Sequence, residues 1–242
     1  MKEIEVVLSM PLFHHRVIRK NSIAVIIDVL RATTSMVAAL DYGIRSIIPV
    51  SSIAEAEVMK HEGYLLAAEE NGLKLKIADF SNSADQFLRD DLIDKEIVYC
   101  TGNSTKAFRL TREETDKVVL GAFPNLSALT KYLKDQDKNI IIVCPGNNNM
   151  PALEDQLCAG ALAKNLLDTG VFTTACDSVL ASIDIWDGAK SDLLQYIKKL
   201  NHFKNNLHSI SEETLNYTFT LDSTTIIPTL HFNHITGFPY KK

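Results

Sequence analysis

Residues 23–40 read IAVIIDVLRATTSMVAAL, and this stretch decides the class of fold. The apolar run at residues 23–27 predicts a buried β-strand, and SMVAAL predicts a helix directly after it. A strand that passes through a short turn into a helix is the repeating unit of α/β proteins. The turn between the two elements is polar, with an acid, an arginine and hydroxyl side chains in quick succession.

This polar turn has two interpretations. Thr33 or Thr34 could cap the helix in the ordinary way, with its hydroxyl accepting a backbone N–H of the first turn and Asp28 solvated beside it. Alternatively, Asp28 and Arg31 lie at the carboxyl end of a central strand, where open α/β sheets place their ligand sites. The turn itself leaves both interpretations open.

Apolar runs alternate with helical patterns through most of the chain, which predicts α/β layering. Strands are predicted at residues 4–8, 23–27, 46–50, 64–68, 97–100, 117–120 and 140–144. Helices are predicted to begin near Thr33, Ser52, Ser104, Asn125 and Pro151. Ser52 and Glu55 have the spacing of a capping box, which supports the second of these helices.

The pattern is less regular past Asp177, where a helix is predicted over residues 189–200. The stretch YTFTLDSTTIIPTLHF, residues 217–232, predicts two extended segments around Asp222 because it is rich in Thr, Ile and Phe. No repeat or linker marks a boundary. We therefore expect residues 1–242 to form a single domain, with two lobes around a cleft as an alternative arrangement.

Composition narrows the classes of function. The 242 residues are 46% hydrophobic and 23% charged, which is enough apolar material for a sizeable core. The net charge is -5 and no cluster of Lys and Arg is interleaved with aromatics, which argues against a nucleic-acid partner. No apolar run approaches the ~20 residues of a membrane span, and the first residues do not resemble a signal peptide. We expect a cytoplasmic protein with no membrane partner.

The four cysteines lie far apart and do not have the spacing of a zinc site. Cys100 and Cys144 end apolar runs, so buried thiols are the expected state there.

Polar clusters follow four of the predicted strands. They are DVLRATT at 28–34, EENG at 69–72, TGNSTKAF at 101–108 and PGNNNMPALED at 145–155. Each alone is an ordinary turn composition, but together they would bring carboxylates, hydroxyls and a guanidinium to one edge of a sheet. Carboxylate oxygens bind Mg²⁺, and Arg31 can bind an oxyanion with two hydrogen bonds. Metal-assisted hydrolysis of a phosphate ester is the predicted chemistry.

Better-known phosphate motifs are absent from the sequence. A phosphatase of the haloacid dehalogenase type would need Asp-x-Asp after its first strand, and Leu30 stands at the second position. There is also no P-loop, no dinucleotide-binding glycine turn and no nucleophile elbow.

The motifs resemble those of one family, the 2-phosphosulfolactate phosphatases, which are magnesium-dependent enzymes of coenzyme M biosynthesis. IDVLRATTS (27–35) resembles the family's IDVLRATTT, and ALEDQLCAG (152–160) resembles its alEDxlcAG. ADFSNSA (78–84) is similar to FdlGNSP, TGNSTKAF to TtNGTrAl, and LDSTTIIP (221–228) to the terminal D...vvP. The likeness therefore extends over most of the chain.

The resemblance implies a layered α/β/α fold with a mixed sheet, and hydrolysis of 2-phosphosulfolactate or a related phosphorylated 2-hydroxy acid to the hydroxy acid and phosphate. It also implies Mg²⁺ as the cofactor. Catalytic roles are expected for Asp28, Arg31, Glu154 and Asp155, and metal binding or activation of its water for Asp28, Glu69, Glu154 and Asp155. Substrate contacts are expected from Thr33, Thr34, Asn82, Ser83, Asn103, Ser104 and Thr105.

One departure from the family pattern affects the substrate. AEENG, residues 68–72, stands where the family usually has GERgG, so Glu70 replaces an arginine and would repel a dianion. The natural substrate is therefore open between 2-phosphosulfolactate and another phosphorylated hydroxy acid. A second hypothesis is a catalytically silent protein that binds a small anion on the same scaffold. The oligomeric state is also open, with a homodimer as one option.

Overall fold

The structure, a computed structural model, describes residues 1–70, 72–102, 104–206 and 210–241. Its strands are β1 (Lys2–Val7), β2 (Ser22–Ile27), β3 (Ser46–Val50), β4 (Leu65–Glu70), β5 (Leu73–Lys74), β6 (Glu96–Cys100), β7 (Lys117–Gly121), β8 (Asn139–Val143), β9 (Phe172–Thr173), β10 (Ile226–His231) and β11 (His234–Pro239). They form one 11-stranded sheet in the order β5-β4-β6-β3-β11-β10-β7-β2-β8-β1-β9.

Helices follow most of the strands. They are α1 (Ala32–Tyr42), α2 (Ile53–His61), α3 (Ser104–Glu114), α4 (Leu126–Lys134), α5 (Leu153–Asp168), α6 (Asp177–Ala189), α7 (Leu193–Ile197), α8 (Asn201–Asn206) and α9 (Glu212–Phe219). Among the described residues, no helix combines the length and the apolar composition needed to cross a membrane.

Strand β2 lies inside the sheet and is buried along its whole length. It pairs in parallel with β7 on one side and β8 on the other, so that Val25 lies opposite both Val119 and Ile142. A strand covered on both faces has no reason to alternate apolar and polar residues. This explains the unbroken apolar run before Asp28.

Alternating residues of β2 face two different layers of helices. Val25 and Ile27 pack with residues of α4, α5 and α6, whereas Ala24 and Ile26 pack with residues of α1 and α3. The fold is therefore α/β, with helices on both faces of a mixed sheet, as the sequence predicts.

A hairpin makes the sheet mixed. Strands β10 and β11 pair with each other in antiparallel fashion and lie between β7 and β3. On one side of the hairpin β7, β2, β8, β1 and β9 are parallel, and on the other β3, β6 and β4 are parallel. The hairpin thus joins two parallel halves, and its position depends on long-range pairing.

The predicted strands and helices of the first 170 residues are confirmed within a few residues at each boundary. Ser52 caps α2 as predicted, since its hydroxyl accepts the Glu55 N–H at 3.1 Å. The Glu55 carboxylate accepts the N–H of Ser51 at 3.0 Å. Cys100 and Cys144 are buried free thiols, also as predicted.

Two predictions for the last third of the chain need correction. The helix predicted over residues 189–200 is divided: α6 ends at Ala189, a short 3₁₀ turn follows, and α7 begins at Leu193. The first extended segment predicted around Asp222 is the end of helix α9, because Ser211 caps this helix by accepting the Thr214 N–H at 3.1 Å. The second segment is strand β10.

Candidate active site

A cavity of about 510 Å³ opens at the carboxyl ends of the parallel strands. The strand-end clusters predicted from the sequence meet there. Polar residues that line it come from five strands, one loop and one helix: Asp28 and Arg31 after β2, Ser51 and Ser52 after β3, Glu69 and Glu70 in β4, Asn82 on the loop after β5, Thr101 after β6, Asn147 and Asn148 after β8, and Glu154 and Asp155 in α5.

Asp28 organises the turn between β2 and α1. Its carboxylate accepts the N–H of Ala32 at 3.3 Å and the hydroxyl of Ser104, and the side chain is largely buried. Arg31 occupies the N-cap position of α1, so the interpretation of Thr33 or Thr34 as the cap is wrong. The Leu30–Arg31 peptide bond is cis. Asp28 therefore binds the first N–H of the helix while lining the cavity.

Thr33 and Thr34 fix the turn from behind. The Thr33 hydroxyl contacts the backbone oxygens of Asp28 and Gly121 at 3.0 and 2.9 Å and accepts the Asp28 N–H at 2.9 Å. The Thr34 hydroxyl donates to the Val29 oxygen at 3.0 Å. Both residues are buried and neither is part of the cavity lining. Their predicted contact with substrate stays a prediction, whereas their contact with the turn is observed.

Two acids begin helix α5, and both are almost completely buried. Glu154 and Asp155 line the cavity, and Asp155 accepts the N–H of Val29 at 2.8 Å, which joins α5 to the turn after β2. Burial raises the pKa of Asp155 well above its usual range, and the charges of Asp28 and Glu154 raise it further. Hydrogen bonds from the backbone N–H groups of Val29 and Gly146 act in the opposite direction and lower this pKa. These three acids therefore lie close enough for the charges of Asp28 and Glu154 to act on Asp155.

Arg31 extends from the turn to the opposite wall of the cavity. Its guanidinium forms an ion pair with Glu69, and both side chains are largely buried. It also donates to the Ser83 hydroxyl at 3.1 Å and to the Gly72 oxygen at 3.4 Å. Ser83 itself does not appear in the lining, so it contacts the guanidinium from outside the cavity.

Asn82 presents an acceptor in the wall of the cavity. Its side-chain nitrogen donates to the Cys100 oxygen at 3.4 Å, and its Oδ1 atom has no hydrogen-bond partner within the part of the chain that the structure describes. Buried polar atoms are rarely left without a partner. A bound cation or a donor group of a ligand would satisfy this oxygen.

Ser104 and Thr105, two predicted residues of the 101–108 cluster, lie behind the cavity. Ser104 binds Asp28, as described above, and the Thr105 hydroxyl donates to the Thr101 oxygen at 2.5 Å. Both are buried and outside the lining. Asn103 lies outside the described residues, so its predicted substrate contact stays a prediction.

Several lining residues were not predicted to be part of the site. Ser51, Ser52 and Ile53 form the junction between β3 and α2, and the rule that ligands bind at strand ends would have found them. Ile210 lies between α8 and α9, far along the chain from the strand ends. Nothing in the local sequence around Ile210 indicates that it reaches the cavity.

The described lining is strongly acidic. It carries five carboxyl groups, those of Asp28, Glu69, Glu70, Glu154 and Asp155, and one guanidinium, that of Arg31. Such a cavity attracts cations and repels anions unless a cation is bound. The N-termini of α1, α2 and α5 contribute lining residues and add positive dipole ends.

The residues present fit a magnesium ion in their chemistry. Carboxylate oxygens and the amide oxygen of Asn82 are hard ligands. Over the described ranges, no three side chains of His, Cys, Asp or Glu are grouped closely enough to form a complete protein site. Mg²⁺ commonly binds through one or two carboxylates and completes its shell with water and substrate phosphate. An incomplete protein shell is therefore compatible with this ion.

The fold and the cavity together define an α/β protein with a polar cavity at the carboxyl ends of parallel strands, where α/β proteins commonly bind their ligands. Residues 10–233 match the family described as 2-phosphosulpholactate phosphatase. The chain belongs to the 2-phosphosulfolactate phosphatase family, which confirms the resemblance inferred from its motifs.

Individual relatives give the same result. The chain is 35% identical over 210 residues to a probable 2-phosphosulfolactate phosphatase of Thermotoga petrophila, covering 86% of this chain and 88% of the relative. A protein of the same name from Pseudothermotoga lettingae is 32% identical over 214 residues, 88% of each chain. One from Thermotoga maritima is 41% identical over 143 residues, 59% of this chain and 62% of the relative. The family and its named members indicate a phosphatase.

Proposed function

We propose that this protein hydrolyses the phosphate monoester of a small 2-hydroxy acid, with 2-phosphosulfolactate as the first candidate, and that it uses Mg²⁺. Membership of the family supports the reaction and the substrate class. A role in coenzyme M biosynthesis, a cytoplasmic location and a homodimeric state stay predictions.

The excess of carboxyl groups in the cavity is the observation that supports the cation. A phosphorylated hydroxy acid carries at least two negative charges near pH 7. The described lining offers one positive side chain, the guanidinium of Arg31, to balance them. In a partly buried site, an opposite charge within ~4–6 Å stabilises the ionised form of a group. A divalent cation between the acids and the phosphate converts this repulsion into attraction.

Asp28 and Glu154 are the residues that we assign to the cation. Both line the cavity, both are buried, and their charges act on the same neighbour, Asp155. The Asn82 oxygen is a neutral candidate ligand. When bound, Mg²⁺ would neutralise charge on the phosphate and lower the pKa of a coordinated water.

Arg31 is the residue that we assign to the phosphate oxygens. A guanidinium matches the geometry of a phosphate with two parallel hydrogen bonds. Helix α1 begins at the next residue, so the positive end of its dipole favours an anion in the same place. Thr33 and Thr34 would act indirectly by fixing the turn that carries Arg31.

A phosphate-release assay tests this proposal. The purified protein is given 2-phosphosulfolactate, phospholactate or phosphoglycerate, with Mg²⁺ or with a chelator. We expect hydrolysis of at least one ester, at a rate that falls at least ~100-fold when the cation is removed. A preference for a substrate other than 2-phosphosulfolactate would indicate that Glu70 alters specificity.

Two results would contradict the proposal. One is the absence of turnover with all three esters. The other is a rise in Tm with phosphate but no metal-dependent hydrolysis, which is the behaviour of a catalytically silent anion-binding protein.

A further inference from the structure

Glu69 uses both of its carboxylate oxygens within the wall of the cavity. One oxygen forms the ion pair with Arg31. The other accepts the backbone N–H of Asn82 at 2.8 Å. The side chain is about nine-tenths buried, so these contacts are shielded from water. A carboxylate with this arrangement connects two residues of the site to each other.

The two residues that Glu69 connects come from different parts of the fold. Arg31 follows β2 in one parallel half of the sheet, and Glu69 belongs to β4 in the other half. The ion pair therefore connects the segment after β2 with the carboxyl end of β4, across the cavity that both residues line. Asn82, on the loop beyond β5, is bound through its backbone and presents its side chain to the same cavity.

The position of the guanidinium is defined by several contacts. Besides Glu69, the Ser83 hydroxyl and the Gly72 oxygen accept hydrogen bonds from Arg31. An arginine side chain has many rotamers in water, and an oxyanion that binds it must otherwise restrict them. Contacts made before the ligand arrives reduce this cost, and Arg31 itself lines the cavity.

We infer that Glu69 is a positioning residue for Arg31 and not a ligand of the cation. This inference rests on the proposed function, and it replaces the metal-binding role that the sequence suggested for Glu69. The carboxylate orients the arginine that binds the phosphate and the loop that carries Asn82. Asp28 and Glu154 then remain as the charged residues assigned to the cation.

The direction of the change in KM on replacing Glu69 tests the positioning role. Glu69→Gln removes one negative charge near an anionic substrate, so charge alone would lower KM. A positioning role predicts the opposite, a rise in KM of about 10-fold or more, because the amide loses the charge-assisted bond to Arg31. We expect a smaller change in kcat and no change in the Mg²⁺ concentration for half-maximal rate.

Glu70→Gln is the matched control. Glu70 is the next residue of β4 and lines the same cavity, and among the described residues its side chain makes no hydrogen bond to Arg31. This variant removes the same charge without the positioning contact, so KM should fall or stay within about twofold. A fall in KM for both variants would overturn the inference.

Direct binding separates positioning from metal ligation without any turnover. Mn²⁺ binding is measured by electron paramagnetic resonance, and inorganic phosphate binding in the presence of Mg²⁺ by calorimetry. The Kd of Mn²⁺ should be the same, within about twofold, for the Glu69→Gln and Glu70→Gln variants. The Kd of phosphate should rise at least about 10-fold for Glu69→Gln alone. Mn²⁺ binding that is about 10-fold weaker in Glu69→Gln than in Glu70→Gln would identify Glu69 as a ligand and overturn the inference.

Glu69→Asp serves if Glu69→Gln fails to fold, as judged by circular dichroism. It keeps the charge, but its side chain is one methylene shorter and does not reach both Arg31 and the Asn82 N–H. Phosphate binding should weaken while Mn²⁺ binding is unchanged, and unchanged phosphate binding would overturn the inference. If the unmodified protein hydrolyses no monoester, the proposed function fails, whereas the two binding measurements still decide the role of Glu69.

Discussion

Asp28 shows, at the level of one residue, that charges gathered in the site can lower the stability of the fold. Its carboxylate is largely buried and binds the Ala32 N–H and the Ser104 hydroxyl. Its charge also raises the pKa of Asp155, which means that like charges repel each other there. Buried like charges lower stability, so a binding role is the physical reason to place them together.

Replacing Asp28 by Asn should therefore separate activity from stability. We expect activity to fall at least ~100-fold, because Asp28 is one of the two charged residues that we assign to the cation. The free energy of unfolding should rise by roughly 1 kcal/mol, which corresponds to an increase in Tm of about 2–4 °C for a chain of this size. Phosphate release and thermal denaturation at pH 7 measure the two effects.

Asp116→Asn is the control for this variant. Asp116 pairs with Lys138 at the surface, far from the cavity lining, and such exposed pairs contribute little to stability. It should change neither activity nor Tm appreciably. A lower Tm for Asp28→Asn than for this control would contradict the prediction, because the hydrogen bonds of the carboxylate would then outweigh the charge repulsion.

Single side chains also connect elements around the site. Asp79 accepts the Leu66 N–H of β4 at 2.8 Å and binds the Lys60 ammonium of α2 at 2.6 Å. Burial raises the pKa of this carboxyl, but the Lys60 and Leu66 hydrogen bonds outweigh it, and the net pKa lies below the usual value of 3.8. Asp79 thus connects α2, β4 and the segment that leads to Asn82.

The lowered pKa gives a pH dependence of stability with a known sign. A group whose pKa is lower in the folded state stabilises the fold above its unfolded pKa, and this contribution is lost as the pH falls through the folded pKa. The stability difference between the unmodified protein and Asp79→Asn should be constant above about pH 5 and should shrink progressively as the pH falls further. Urea denaturation across this range measures it, and a difference that grows in acid would contradict the assignment.

The sequence predicts elements well where local pattern and burial agree. Strand β2 is an example, because full burial gives an unbroken apolar run with a polar turn at its end. Helix α9 is the opposite case, since Tyr217, Thr218 and Phe219 favour extended structure by propensity. The Ser211 cap and the burial of Thr214 and Thr218 on one side of the helix outweigh that propensity.

At the scale of the whole molecule, the sequence predicts a sheet but not the order of its strands. The β10–β11 hairpin lies between β7 and β3, which precede it by more than 100 residues, and pairing over such distances leaves no local signal. The rule that ligand sites form at strand ends brings Asp28, Arg31 and Glu154 together correctly. The ion pair of Glu69 with Arg31 joins the two halves of the sheet, so the sequence alone could not predict it.

One cavity, at the carboxyl ends of strands from both halves of the sheet, is proposed to bind both the cation and the phosphate. A crystal structure grown with Mn²⁺ and inorganic phosphate, with anomalous diffraction to locate the metal, tests it directly. We expect the anomalous peak within coordination distance of the Asp28 and Glu154 carboxylates, and the phosphate bound to the Arg31 guanidinium. A phosphate bound away from Arg31, or a metal that contacts neither Asp28 nor Glu154, would contradict the account.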